Sequence, residues 1–124
     1  MSDEAVGYPT QVRRHVWESL VSMLRVYAHA ASLNGKEYVV TSASGKVSVK
    51  HQDRVLTVSF DPETGDANWS VTRPTCEEVG EFHIDEHGAL VFPAGPKALD
   101  TAAMDWIALL DHAAGHVVNE NVRS

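Results

Sequence analysis

Cysteine is almost missing from these 124 residues: Cys76 is the only one. An internal disulfide is therefore excluded, and the composition fits a reducing compartment. Long apolar runs are missing too, since none approaches the ~20 residues that cross a bilayer. The opening Met1-Ser2-Asp3-Glu4 has neither the basic nor the apolar region of a signal peptide. The expectation is a cytoplasmic protein, for which the sequon Asn68-Trp69-Ser70 has no chemical consequence.

Positive charge is scarce. Ten Lys and Arg stand against 17 Asp and Glu, a formal net charge of -7. The deficit is concentrated in residues 61–100, where Asp61, Glu63, Asp66, Glu77, Glu78, Glu81, Asp85, Glu86 and Asp100 face only Arg73 and Lys97. Phosphate backbones and anionic lipid surfaces need a positive footprint, so nucleic acid and membrane are both expected non-partners. Catalytic signatures are lacking as well: no Gly-x-Ser-x-Gly elbow, no Gly-x-Gly-x-x-Gly and no phosphate-cradling Gly-Lys-Ser/Thr segment occurs. The expectation leans away from an enzyme, and no cofactor is implied.

What the chain does have is apolar residues at 44% and charged residues at 22%, the balance of an ordinary globular protein. The length fits a single domain over 1–124, with residues 1–8 and 118–124 expected to be flexible ends. The plainest local pattern is a pair of alternating runs. Leu56, Val58 and Phe60 alternate with small polar residues in 54–60, as Trp69 and Val71 do in 66–72. Because side chains swap faces at every strand residue, these are two strands with one buried face each. Between them, Pro62 presets a turn dihedral and Gly65 can take the positive φ that closes a hairpin.

Upstream, Val12, Val16, Leu20, Met23, Leu24, Tyr27 and Ala31 recur at spacings of three and four, with Trp17 and Ala28 widening the stripe. This predicts an amphipathic helix over about residues 10–33, stopped by Asn34-Gly35. A first hairpin is expected from 37–41 and 46–51, and a third from 82–85 and 89–92. Pro93-Ala94-Gly95-Pro96 reads as a linker. Beyond it, Asp100 or Thr101 can cap a second helix whose stripe is Ala103, Trp106, Ile107, Leu110, Ala114 and Val117.

The sum is an α+β domain: N-terminal helix, antiparallel meander of five or six strands, C-terminal helix, both helices on one face of the sheet. This order resembles the frataxin arrangement, in which two helices pack on one face of an antiparallel sheet. The likeness is one of topology and involves no motif. The acidic, iron-handling first helix of frataxins has no counterpart here, because this one carries Arg13, Arg14 and Arg25 against the lone Glu18.

Candidate chemistry is confined to a few clusters. His83, Asp85 and His87 bring mixed nitrogen and oxygen ligands into five residues, and Asp105, His112 and His116 share a face of the second helix. Each could hold a divalent metal. The ordinary alternative is an exposed hairpin tip and a solvated helix face; Ala113 also stands where the zincin pattern requires Glu. Cys76 has Glu77 and Glu78 as neighbours, which oppose a thiolate. Trp17, Trp69 and Trp106 could line a ligand pocket between helices and sheet, or simply fill the core. The leading expectation is a protein-binding module using its acidic segment or the polar sheet face. Its alternatives are a metal-binding protein or metal-dependent enzyme, and a small-ligand carrier. Oligomeric state is not set by the sequence.

Overall fold

A computed structural model describes the backbone of residues 2–33 and 37–112, with side chains for 10–33 and 37–111. Its elements are α1 (Ser2–Ser32), β1 (Val39–Ala43), β2 (Lys46–His51), β3 (Arg54–Phe60), β4 (Asp66–Thr72), β5 (Glu77–Ile84), β6 (Leu90–Phe92), β7 (Gly95–Lys97) and α2 (Leu99–His112). All seven strands join one sheet in chain order, each antiparallel to the next. Among the described residues, no helix is long and apolar enough to cross a membrane.

The register follows from the alternation. Pairing Leu56 with Val71 and Val58 with Trp69 stacks the apolar side chains of β3 and β4 on one face, and Val47 and Val49 of β2 extend the row. Phe82, Ile84, Leu90 and Phe92 complete this inner face. Leu20, Leu24 and Ala28 of α1 press onto it, beside Ala102, Ala103, Trp106 and Leu110 of α2. Burying a Val or Leu side chain of this kind contributes about 1.5–3 kcal/mol, so the covered face is the main source of stability. Ser48, Thr57, Ser59, Asn68, Ser70 and Thr72 alternate onto the outer face, which no described helix covers.

Several expectations need correction. The sheet has seven strands, because the supposed linker contributes β7; Pro96 can sit there since an edge strand has one side without ladder partners. The helix α1 begins at Ser2, not near residue 10, so residues 2–8 are helical instead of a loose lead-in. The first turn shortens to Ser44-Gly45 because Ser42 and Ala43 pair with Val47 and Lys46. In α2, Asp100 and Thr101 lie inside the first turn, where a carboxylate still favours the positive end of the helix dipole. The expectations for Asn34-Gly35, Ala114, Val117 and residues 118–124 lie outside the described residues.

Arg13 fastens α1 to the sheet. Its Nε donates to the Ile84 carbonyl at 3.0 Å and its Nη1 to the Glu63 carbonyl at 3.1 Å. Beneath it, Gly65 has φ 83°, and a Cβ there would collide with the Ile84 carbonyl. Only glycine fits both requirements.

Candidate functional site

The inner face ends in a polar corner. Continuing the alternation one step past Val49 places His51 inward, and starting it two residues before Leu56 does the same to Arg54. His51 is 2% and Arg54 7% exposed. Oxygen surrounds the guanidinium: Nη1 donates to the carbonyls of Leu110 and Asp111 in α2, and Nη2 donates to Gln52 Oε1 at 2.7 Å. Asp53 Oδ1 lies 3.7 Å from Nε. A cation on late helical carbonyls also meets the negative end of a helix dipole. Gln52 is held at φ 60°, an unusual conformation for a side-chain-bearing residue, in the turn that aims its amide at Arg54.

His51 stacks on Tyr38, ring centroids 4.0 Å apart and planes within 5°. Its Nδ1–H donates to the Glu37 carbonyl at 3.0 Å, which fixes the tautomer, because a carbonyl only accepts. The Tyr38 hydroxyl donates to Asp111 Oδ1 at 3.3 Å. Burial raises the Tyr38 pKa, and the Asp111 charge raises it further. Tyr38, His51, Arg54 and Asp111 thus join β1, β2 and β3 to α2. Each group's shown partners lie within the fold, which makes this corner a structural tie. Sequence reasoning missed it because His and Arg at inward positions break the polar-out rule; the parity of β2 and β3 was the available signal.

The sequence-derived clusters are arranged differently. His83 Nδ1 lies 3.3 Å from Asp66 Oδ1 on the neighbouring strand. Asp85 instead accepts the backbone N–H groups of His87 and Ala89, both at 2.9 Å, and those bonds hold its carboxyl below the usual range. The His87 side chain is exposed, with Glu86 Oε2 3.9 Å from its Nε2. Asp105 pairs with Lys97 Nζ at 2.8 Å. The His112 side chain and all of His116 lie outside the described residues. Among the described residues, no three His, Cys, Asp or Glu side chains converge on a common point.

The tryptophans separate as well. Trp17 stacks on Phe60 at 5.2 Å, while Trp106 sits among Trp69, Phe82 and Phe92. Trp69 is half-buried: its indole lies over Gly80, its cross-strand partner, where a Cβ would press into the ring. Trp17 borders a cleft, about 580 Å³ in volume, between α1 and the first and third turns of the sheet. Arg14 and Arg25 line it against Glu18 and Asp61, and Arg25 Nη2 donates to Ser42 Oγ at 2.7 Å. Exposed Cys76 has a cation that its sequence neighbours did not suggest, since the turn at Pro74 brings Arg73 Nη1 to 3.6 Å from its Sγ. The same guanidinium holds Glu78 at 3.2 Å.

The outer face has a pattern of its own. Across β4 and β5 the rows read Thr72 with Glu77, Ser70 with Val79, Asn68 with Glu81 and Asp66 with His83. Val91 of β6 continues the last row. Acids, hydroxyls and amides therefore surround Val79, which is 66% exposed. The basic side chains Lys46 and Lys50 share this face but lie on β2, at the other side of the sheet.

No protein-family model, curated protein or solved structure matches the chain. These comparisons give the expected frataxin resemblance no support, and it carries no argument about function.

Proposed function

We propose that this chain is a non-catalytic protein-binding module that uses the outer face of β4, β5 and β6, and that its partner is a basic protein segment with some apolar side chains. The supporting observation is Val79, held out by β5 between Glu77 and Glu81 on the same face. An apolar anchor gains from desolvation, while the surrounding acids steer a cationic partner and fix its register. Ser70, Thr72 and Asn68 add hydrogen-bonding groups that need no backbone rearrangement. The cleft beside Trp17 supports a small-ligand role less well, because its two arginines and two acids prefer no single charge.

The test is binding of a lysine-rich amphipathic peptide to the protein and to the double variant Glu77→Lys, Glu81→Lys. Wild type should bind in a salt-sensitive manner, and the variant should lose at least about tenfold in affinity. Equal binding to both proteins would end this reading.

A further inference from the structure

The two edges of the sheet are built differently. At one, β7 is three residues long, with Pro96 at its centre and Lys97 beside it. Proline offers no N–H and a charge discourages pairing, so this edge is blunted. At the other, β1 has five residues, Val39–Ala43, with neither proline nor charge. It matches β2 residue for residue, without a bulge. Among the described residues, β1 carries no proline, charge or bulge to protect it.

The backbone groups it offers can be named. The two-residue turn Ser44-Gly45 makes Ala43 and Lys46 a hydrogen-bonded pair, and such pairs alternate along an antiparallel ladder. Thr41 and Val39 therefore also bond to β2, while the N–H and C=O of Val40 and Ser42 point away from the sheet. No described residue meets them with a backbone bond. Nearby, Leu33 is 74% exposed at the end of α1, which adjoins the start of β1 where the Tyr38 N–H donates to Ser32 Oγ at 3.2 Å.

We infer that β1 pairs antiparallel with β1 of a second copy of this chain, with Thr41 facing Thr41 across a twofold axis. Val40 of each copy then exchanges both backbone bonds with Ser42 of the other, and Val39 lies opposite Ala43. A second copy fits for three reasons. This register satisfies every outward group of β1 with an identical strand. The acids responsible for the net charge of -7 are concentrated in residues 61–100, away from the uncharged β1. Finally, the blunted β7 edge, together with Glu77, Glu78 and Glu81 on the stretch of β5 that β6 leaves unpaired, stops growth at two copies, where a second open edge would lead to a fibre.

Sedimentation of the full chain over rising concentration is the first measurement. The mass should climb from 13.5 kDa to twice that value. Thr41→Lys changes an exposed side chain and sets two ammonium groups across the axis, so it should restore the monomer while matching the thermal midpoint of wild type at dilutions where wild type is itself monomeric. Amide exchange gives the second readout: Val40 and Ser42 should slow with concentration in wild type and stay fast in Thr41→Lys. A monomer at all concentrations, or a dimer that survives Thr41→Lys, would overturn the pairing. So would protection of those amides at every concentration that is lost when residues 113–124 are removed, since the chain would then cover its own edge.

Discussion

On β2 and β3 the two faces of the sheet obey one alternation but use their polar residues in opposite ways. Inward, Val47, Val49, Leu56 and Val58 are sealed, and the two polar exceptions, His51 and Arg54, are tied to named oxygens. Outward, polarity is the rule, and further along the same face, on β5, the exception is apolar: Val79 stands in the open among acids. An exception on the inner face must be satisfied within the fold, whereas one on the outer face is left for something else to cover. Inner exceptions should therefore govern stability, and outer ones binding.

The largest effect should come from Arg54→Ala. Removing the guanidinium leaves the corner without its central donor and should cost roughly 3–5 kcal/mol in chemical denaturation. A loss under about 1 kcal/mol would mean the corner is looser than its hydrogen bonds imply.

Next is the contact of Trp69 with Gly80. Trp69→Ala should cost about 2–3 kcal/mol, less than for a fully buried tryptophan because the ring is half-exposed. Gly80→Ala should cost about 1–3 kcal/mol by forcing the ring aside. Both substitutions act on one contact, so the double variant should be more stable than the sum of the two losses predicts. Additive losses would show that the ring does not depend on that glycine.

Smaller changes should appear with pH. The Asp85 carboxyl is held below its unfolded value, so its contribution is present above that value and is lost as pH falls through the folded one. Tyr38 behaves in the opposite sense: its folded pKa lies above 10.0, so its contribution is present below that pH and disappears as pH rises through the folded value. Asp85→Ala should flatten the acid limb of the stability profile, and Tyr38→Phe the alkaline limb. Unchanged limbs would remove these groups from the account.

How much of this was legible in the sequence depends on which rule each residue obeys. Hairpin β3–β4 and the stripe of α1 could be read because Leu56, Val58, Val71, Leu20 and Leu24 follow simple periods. Strand β7 could not, since Pro96 is a strand residue only at an edge. Nor could the polar corner: His51 and Arg54 acquire partners from α2 and from the approach to β1, far away in sequence. Around the metal candidates, strand pairing sets His83 beside Asp66 and β7 sets Lys97 beside Asp105, partners that ligand spacing along the chain does not announce.

The smallest stability change should belong to Glu77→Lys with Glu81→Lys, within about 0.5 kcal/mol, since both side chains are exposed. This pair separates the two faces most sharply if fold and binding respond independently. The most direct measurement is a residue-resolved NMR titration of the wild-type protein with the lysine-rich peptide. The account predicts salt-sensitive shifts gathered on Ser70, Thr72, Glu77, Val79, Glu81 and Val91, with the amides of Leu56 and Val58 unmoved. Shifts centred on the Trp17 cleft, or none at all, would contradict it.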